Sequence, residues 1–307
     1  MRAPLTREWF RLLQNPKLAP VAEADPHILS KIQRTYLIRT LRAKDRLQAL
    51  KQHYGFVAQH FPEEMLRQVY SSSGFLLASL PIEGIGQVSL RLAYCHSLGK
   101  EGDLTIKLND EHSGWLIYSL TFSVSVNDAG RRECVIGGLQ GYTQALGKER
   151  VISLTRRMHG LRPKALVLFA LQQLACAWAF TSIRGVSDAM HIYRHYLRRK
   201  DLAASYDEFW AESGGRLAAD NVFDLPLRPS VRPIATIKPN KRAMYKHRYA
   251  MLTEISKQIR RQIPSISTAQ PSAPLPWLND NRVPPPAASG ACIPMHGLGP
   301  RPVSHHA

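Results

Sequence analysis

Five short runs rich in β-branched and aromatic residues follow one another between positions 74 and 143, and they constrain the fold more than any other feature of the chain. The runs are GFLLASLP, GQVSLRLAYCH, DLTIKLND, WLIYSLTFSVSV and RECVIGGLQGYT. Gly, Asp and Asn turn signals separate them, as is typical of short strands. Because LNDEHSGW and VNDAGRRE are typical of hairpin connections, neighbouring strands should be antiparallel. We therefore predict an antiparallel meander.

The fourth run alternates between two kinds of side chain. One set is fully apolar, and the other is mostly hydroxyl, with Ser119, Thr121, Ser123 and Ser125 at alternate positions. Successive side chains of a strand point to opposite faces of the sheet. The alternation therefore predicts a half-buried strand whose apolar face packs on a core.

Helical patterns precede the strand block. Residues 1–73 are predicted to be helical, because apolar residues recur near a helical period across positions 26–57. A further helix should begin at Pro62, where a proline and two acidic residues form the first turn.

Helices and a strand alternate after the block. We predict helices over 147–158 and from Pro163 to about Phe180, a strand at SIRGVS and a basic helix over 240–263. The passage from strand to helix to strand would add one parallel pair to the sheet. The expected fold is α+β, in which a helical N-terminal part precedes a mostly antiparallel mixed sheet with flanking helices.

These patterns divide the chain into three parts. They are a helical region at 1–73, an α+β core with a closing basic helix at 74–263 and a tail at 264–307. The tail holds ten of the 21 prolines and few charges. Such a segment cannot bury enough apolar surface to offset the entropy lost on ordering, so the Pro-rich tail is predicted to be disordered.

The formal net charge of +18 implies an anionic partner. Nucleic acid, an anionic lipid surface and a phosphorylated cofactor or ligand all satisfy this condition. The N-terminus lacks the unbroken apolar stretch of a signal peptide, and Gln172 and Gln173 interrupt the longest apolar run. The four cysteines have no CxxC spacing, which fits a reducing compartment. We expect a cytoplasmic protein that is not transmembrane, and the pattern leaves its oligomeric state open.

A basic turn, TRRMHGLRPKAL, precedes the long apolar helix. Gly160 would let a ligand approach the backbone, and the helix start at Pro163 offers N–H groups and a positive dipole end to an anion. The candidate cofactor-binding residues are this glycine and the cations around it, namely Arg157, His159, Gly160, Arg162 and Lys164. The alternative is a helix start whose basic side chains only face water.

Three glycines interrupt the fifth run, at Gly137, Gly138 and Gly141. Glycine inside a strand indicates a bulge or a backbone that a ligand approaches closely. Together with Gln140, whose amide could face a substrate, they are candidate substrate-binding residues. Tight packing within the sheet explains the same glycines equally well.

A further candidate cluster follows the predicted strand SIRGVS. His191 and His195 stand four residues apart, as in a metal pair, but neither an HExxH glutamate nor a third ligand accompanies them, and no metal site is predicted. We instead predict proton transfer by His191 or Tyr193, because histidine titrates close to neutral pH. Asp207 adds an acid to this catalytic set. Trp210 is a candidate substrate-binding wall, although core packing explains it as well.

The closing basic helix combines an apolar stripe of helical period with a strongly basic face. Its candidate substrate-binding residues are Lys241, Arg242, Tyr245 and Arg248. The basic face suits nucleic acid or an anionic lipid surface. A solvated face that supplies some side chains to a pocket is the alternative.

Five stretches, taken in order, resemble the VirK/YbjX family. They are SLTFSV leading to IGGLQG, LTRRMHGLRPKAL, IRGVSD followed by HIYR, YDEFW and KRAMYKHRYAML. The resemblance covers residues 27 to about 255. It implies a bacterial protein linked to virulence, tolerance of antimicrobial peptides and envelope or stress responses, and it brings no established catalytic activity.

The order of elements also resembles the core of the N-acetyltransferase superfamily, which has a meander, a basic glycine turn, a long helix and a strand. There, a turn written Q/R-x-x-G-x-G/A binds the pyrophosphate of an acyl-CoA through backbone N–H groups. Arg157 and Gly160 match its first two anchors, whereas Arg162 replaces the small third residue, and an extra helical segment at 147–157 precedes the turn.

This similarity implies an acyltransferase-like enzyme that uses acyl-CoA or another acyl thioester. The alternative is a non-catalytic basic protein that binds an anionic partner, either nucleic acid or an anionic lipid surface. A third hypothesis is a regulatory or envelope-stress factor that acts through a protein partner.

Overall fold

The computed structural model describes residues 3–25, 27–127, 129–141, 147–193, 205–264 and 266. Its strands are β1 (Phe75–Ile82), β2 (Gly86–Ala93), β3 (Leu104–Asp110), β4 (Leu116–Val126), β5 (Arg132–Gln140), β6 (Ser182–Val186), β7 (Arg216–Leu217) and β8 (Val222–Leu225). Its α-helices are α1 (Ala3–Leu13), α2 (Ala19–Ala24), α3 (Ala43–His60), α4 (Glu63–Val69), α5 (Lys148–Arg157), α6 (Pro163–Ala177), α7 (Tyr206–Glu212) and α8 (Pro239–Gln262).

All of these strands belong to one sheet, in the order β1-β2-β3-β4-β5-β6-β8-β7. Strands β1 to β5 form the predicted antiparallel meander. Strands β5 and β6 are parallel, as the passage from strand to helix to strand predicts. The short β8 and β7 were not predicted; β8 extends the sheet antiparallel to β6, and β7 pairs antiparallel with β8. The predicted α+β fold with a mixed, mostly antiparallel sheet is confirmed.

Both faces of β4 are buried, so the prediction of a half-buried strand is wrong. Its hydroxyl residues Ser119, Thr121 and Ser123 are at most 1% exposed. Helices α3 and α6 both pack against β4, and helices therefore cover both faces of the sheet. Two of these hydroxyls have other hydroxyls as partners: Thr121 Oγ1 lies 3.0 Å from Thr105 Oγ1 of β3, and Ser123 Oγ lies 2.7 Å from the Tyr36 hydroxyl.

Residues 34–42 interrupt the helical period predicted across 26–57. Leu37 has a left-handed backbone conformation, with φ of 58°, which an α-helix does not contain. Tyr36 is fully buried, and its hydroxyl donates to the carboxylate of Asp103. This long-range bond to a buried acid outweighs the local preference for a helix.

The other predicted helices are confirmed, including α4 after Pro62 and the long α6 and α8. Helix α8 packs on β1 and α6, and Gln258 Oε1 accepts the Ser79 N–H of the edge strand β1 at 2.9 Å. The tail predicted to be disordered lies outside the described residues, apart from its first positions. There, the Ile266 N–H donates to the Ala177 carbonyl oxygen at 3.2 Å.

Candidate active site

Strand β5 continues beyond its parallel partner. The register between β5 and β6 ends at Ile136 and Gly185, whereas β5 runs on to Gln140. On the other side, the register with β4 shifts at Gly137, so the predicted bulge is confirmed. We call the space beside residues 137–140 the fork.

Glu101 fills the fork. A Cβ atom on Gly138 would stand 1.9 Å from Glu101 Oε2, and one on Gly137 would stand 2.0 Å from the Glu101 carbonyl oxygen. These two glycines therefore make room for Glu101, which corresponds to the tight-packing explanation that the sequence left open. Gly141 lies further along, where its Cβ would be 3.4 Å from the ring of Tyr118.

The Glu101 carboxylate joins two of the predicted residues. Gln140 Nε2 donates to both of its oxygens, at 2.9 and 3.0 Å. His191 Nε2 lies 3.4 Å from Glu101 Oε1. Glu101 is 1% exposed and His191 is 4% exposed, so their polar partners come from the protein rather than from bulk solvent. The structure thus brings Gln140 and His191 together around an acid that was not predicted.

Two tyrosines complete this cluster. The Tyr193 N–H donates to His191 Nδ1 at 3.4 Å, so the neutral imidazole carries its proton on Nε2, facing Glu101. The Tyr206 hydroxyl lies 3.5 Å from His191 Nε2 and accepts the Leu139 N–H of β5 at 3.0 Å. Burial and, next, the charge of Glu101 raise the pKa of both tyrosine hydroxyls, which therefore keep their protons at neutral pH.

Two aspartates hold the loop 187–193, which carries the histidine, against α7. The Asp188 N–H donates to Asp207 Oδ1, and the Tyr206 N–H donates to Asp188 Oδ1, both at 2.8 Å. Asp207, a predicted catalytic residue, thus positions the loop. Trp210 is fully buried, and its Nε1 donates to a carbonyl oxygen of β6 at 2.9 Å, which corresponds to the core-packing explanation.

Two buried hydroxyls beside the cluster have no hydrogen-bond partner within the described part of the chain. Ser119 stands opposite Gln140 in the register of β4 and β5, and Ser187 begins the loop that leads to His191. A buried polar group left unsatisfied costs about 1–3 kcal/mol. Two such groups beside one cluster are the kind of partners that a polar substrate or a water molecule satisfies.

The basic turn differs from a backbone anion cradle. It ends α5 in a left-handed conformation, with φ of 55° at His159 and 75° at Gly160. The N–H groups of His159, Gly160 and Leu161 donate to carbonyl oxygens of residues 154–158, at 3.1, 2.8 and 3.0 Å. These groups are already used inside the turn, so its cationic side chains are what it offers to an anion.

The cations at the start of α6 contact α7. Arg162 Nη2 donates to Glu212 Oε2 at 2.6 Å. The Lys164 ammonium lies 4.0 Å from the same carboxylate and 4.5 Å from the centre of the Phe209 ring. The Arg157 side chain is 51% exposed beside an exposed glutamate. The side chains of Arg157 and Arg162 are thus about half exposed, whereas that of Lys164 is 21% exposed.

Helix α8 reaches the basic turn. Arg248 Nε and Nη2 donate to the His159 carbonyl oxygen at 2.9 and 2.6 Å, and the guanidinium lies 4.4 Å from the centre of the Tyr245 ring. The rings of His159 and His247 are 5.3 Å apart. Burial and the charges of His247 and Arg248 lower the pKa of His159. The two basic stretches of the sequence therefore form one surface, which we call the basic surface (156–162 and 238–248).

The other two candidates on α8 lie near its start. Lys241 is exposed, and Arg242 donates to the carbonyl oxygens of Ile237 and Ala235, at 2.9 and 3.2 Å. Arg242 thus closes the turn that precedes the helix. Leu252 is the first buried residue of α8, so the N-terminal half of this basic helix faces solvent and the basic turn.

The basic surface and the fork lie at the same edge of the sheet. Tyr118 borders Gly141 at the end of β5, and the charge of Arg162 acts against the rise that burial gives to the Tyr118 pKa. Helix α7 connects the two regions, because it supplies Tyr206 to the fork and Glu212 to the start of α6.

Sequence reasoning missed Glu101 and Tyr206. Glu101 stands in the stretch GKEGD, which has the composition of a solvated turn, and the glycine pair of β5 was the one signal that something packs closely there. His195 lies outside the described residues. In the described ranges, no group of three His, Cys, Asp or Glu is placed to hold a metal ion. None of the described helices has the length and apolar character that crossing a membrane requires.

The sequence of this chain is similar to those of several bacterial proteins. The uncharacterised protein YbjX of Escherichia coli (strain K12) is 33% identical over 260 residues, which covers 83% of this chain and 78% of YbjX. An uncharacterised protein of Haemophilus influenzae is 31% identical over 53% of each chain. The membrane protein LapB of Mannheimia haemolytica is 27% identical over 56% of this chain and 72% of LapB.

The family resemblance inferred from the sequence is confirmed by these matches. In addition, the model of a family described as a protein of unknown function, DUF535, matches residues 1–261. This match spans most of the chain, and the similarity to YbjX extends over nearly the same length. The chain therefore belongs to the DUF535 family.

Proposed function

We propose that this protein is an acyltransferase-like enzyme whose reaction centre is the fork. The observation that carries the proposal is the buried Glu101–His191 pair, which lies where β5 continues beyond its parallel partner β6. Two tyrosines contact His191, and Ser119, opposite Gln140 in β4, and Ser187 have hydroxyls without a partner in the described part of the chain. Such a cluster suits a reaction that moves protons at a polar substrate.

Each group of the cluster has a role in this proposal. The Glu101 carboxylate accepts the proton of an acceptor amine or hydroxyl, and the His191 Nε2–H orients the carboxylate. The Tyr206 hydroxyl, whose raised pKa keeps it protonated, donates a hydrogen bond to the carbonyl oxygen as negative charge develops on it, and the proton that Glu101 accepted passes to the leaving thiolate. One bond forms between the acceptor and the acyl carbon, one carbon–sulfur bond breaks, and the proton lost by the acceptor is balanced by the one gained by the thiol.

The donor set of the basic surface fits an acyl thioester only through side chains. The N–H groups of the turn are used internally, whereas the Arg157 guanidinium and the rings of His159 and His247 offer side-chain N–H groups on this surface. Burial and, next, the charges of His247 and Arg248 lower the pKa of His159, and Glu83 is an acid beside this group, 3.6 Å from Arg157. An acyl-CoA bound there would supply an activated carbonyl carbon. Arginine and histidine side chains would hold its phosphates by charge-assisted hydrogen bonds.

The test is a calorimetric titration of the full chain with CoA and with a long-chain acyl-CoA at low and at high salt. The variants are Arg157→Glu and Arg162→Glu, and the matched control is Arg260→Glu, an exposed arginine near the far end of α8. We expect saturable binding that persists at high salt and that the first two variants weaken by roughly tenfold or more. If all three variants weakened binding equally, the turn would not be the binding site for CoA.

The exposed half of α8 favours one further candidate function, a non-catalytic protein that binds an anionic lipid surface. The observation is that no residue of α8 before Leu252 is buried, although this half carries most of the cations of the helix. The relative named membrane protein LapB is consistent with a role near a membrane. A role in virulence or in tolerance of antimicrobial peptides, which the family resemblance implies, would follow from either function.

Cosedimentation with vesicles of anionic lipid and with vesicles of neutral lipid distinguishes the lipid-binding function from the enzymatic one. A surface binder should sediment only with the anionic vesicles, and high salt should release it. Lys241→Glu together with Lys246→Glu should abolish the sedimentation, whereas the reaction centre should be unaffected. Equal binding to duplex DNA would instead indicate a general affinity for polyanions.

A further inference from the structure

A polar cavity of about 260 Å³ borders Tyr193, and His191 is not among its lining residues. The 3-10 helices Ile28–Gln33 and His96–Leu98 form its walls, together with Lys100. We call it the Lys31 cavity, after the residue at its floor. No part of the proposed function uses it.

The floor of the cavity is a buried ammonium group. Lys31 is 5% exposed, and it forms an ion pair with the fully buried carboxylate of Asp103. Its Nζ lies 5.3 Å from the centre of the Tyr94 ring. A Cβ atom on Gly99 would stand 3.1 Å from the Tyr94 hydroxyl and 3.7 Å from Lys31 Nζ. The absence of a side chain at Gly99 therefore leaves both groups open to the cavity.

The walls carry more positive than negative charge. Within the described ranges, neither Arg34 nor Lys100 lies within ion-pair distance of a carboxylate. Asp25 is the acid among the lining residues, where it accepts from the His27 N–H at 2.9 Å, from the Tyr94 hydroxyl and from His96 Nδ1 at 2.9 Å, and its single charge stands against those of Arg34 and Lys100. An excess of cationic donors therefore faces the space.

We propose that the Lys31 cavity binds the phosphate group of a small phosphorylated ligand. The Arg34 guanidinium can donate two parallel hydrogen bonds to two oxygens of a phosphate, and ammonium groups bind the other oxygens as point charges. The Thr35 and Ser97 side chains at the mouth add hydroxyl groups. The ion pair with Asp103 fixes the position of Lys31, so its remaining N–H groups are already oriented when the ligand arrives.

The position of the cavity assigns a class of substrate, in a step that rests on the proposed function. Lys100 precedes Glu101 in the chain, and its Nζ lies 5.6 Å from the centre of the Tyr193 ring. That ring is in turn 5.7 Å from the His191 ring. Tyr193 thus borders both the cavity and the His191 ring, and in the proposed function the acceptor of the transfer is a phosphorylated amine or alcohol whose phosphate the cavity holds.

The proposal is tested by calorimetric titration of the full chain with inorganic phosphate and with O-phosphoethanolamine. Ethanolamine serves as the probe that lacks the phosphate. The variants Arg34→Gln and Lys100→Gln remove one charge each, and Gly99→Val fills the space without changing the charge. Lys44→Gln, an exposed lysine on α3, is the matched control. Circular dichroism and the melting temperature show whether each variant is folded.

We expect both phosphate compounds to bind saturably and ethanolamine not to bind. Arg34→Gln and Lys100→Gln should each weaken binding by about tenfold or more, and Gly99→Val should abolish it, while the control is unchanged. An absence of saturable binding by the wild-type chain, or losses no larger than that of Lys44→Gln in folded variants, overturns the proposal. Because binding is measured without turnover, phosphate binding by a protein without transferase activity would refute the proposed function and leave the cavity as a phosphate site.

Discussion

Arg248 of α8 donates two hydrogen bonds to one acceptor, the carbonyl oxygen of His159, at 2.9 and 2.6 Å. The two residues are 89 positions apart in the chain. They join the left-handed turn after α5 to a helix that otherwise faces solvent at this end. This contact makes one basic surface from two stretches that the sequence shows only as separate basic runs.

Removal of the Arg248 guanidinium should destabilise the protein measurably. Hydrogen bonds from a charged donor contribute about 1.5–3 kcal/mol, so Arg248→Met should lower the free energy of unfolding by an amount near the lower end of that range at this half-buried position. Urea unfolding followed by fluorescence measures the difference. Lys246→Met, an exposed neighbour on the same helix, is the control and should change stability by no more than about 0.5 kcal/mol. Equal effects of the two variants would show that the contact with His159 contributes nothing.

Gly138, at the fork, should not tolerate a methyl group. A Cβ atom on Gly138 would overlap Glu101 Oε2 at 1.9 Å, so Gly138→Ala should destabilise the fold by about 1–3 kcal/mol or displace the carboxylate. Gly55→Ala is the opposite case, because Gly55 lies in α3 with no atom within 4 Å of the added methyl group. That variant should be more stable by about 0.5–1 kcal/mol. Thermal unfolding of both variants tests the difference in sign.

Acid should destabilise the protein through His53. Burial, with the charge of Lys31 adding to it and that of Asp103 opposing it, lowers the pKa of His53 to about 4. His53 Nδ1 accepts the Val124 N–H at 3.1 Å, which requires the neutral ring. The unfolded chain takes up a proton near pH 6.5, whereas the folded protein does so only near pH 4, so falling pH favours the unfolded chain.

The shift corresponds to a loss of about 3 kcal/mol in the free energy of unfolding as the pH falls from about 7 to 4. His53→Asn keeps an acceptor for the Val124 N–H and cannot take up this proton, so its stability should depend less on pH across that range. His112→Asn, at an exposed hairpin position, should keep the wild-type dependence. Parallel pH profiles for the wild type and His53→Asn would contradict the assignment.

The sequence predicted the meander well because its five runs carry both strand composition and turn signals. It failed for residues 34–42, where Tyr36 and Leu37 follow contacts to Asp103 and its surroundings rather than a local preference. The prediction that β4 is half buried was wrong for a related reason. Period 2 shows that a strand has two faces, but not that a second layer of helices covers the polar one.

The candidate site was predicted in part. His191, Gln140 and the glycines of β5 do meet at the fork, because the pattern of a strand end followed by polar residues has a local signature. Glu101 has no such signature, since the burial of a carboxylate depends on partners that are distant in the chain. The same holds for Arg34 and Lys100, which the fold brings to one cavity from separate turns.

Turnover by Glu101→Gln tests the central claim most directly. The assay measures thiol released from a long-chain acyl-CoA by the full chain in the presence of amine and alcohol acceptors, including O-phosphoethanolamine. The substitution keeps the size of the side chain and removes the carboxylate. Glu64→Gln, an exposed glutamate on α4, is the matched control. If the fork is the reaction centre, Glu101→Gln should fold, bind the acyl-CoA as the wild type does and lose about 100-fold or more in turnover. Turnover equal to that of the wild type, or a wild-type chain that releases no thiol with any acceptor, would contradict the account.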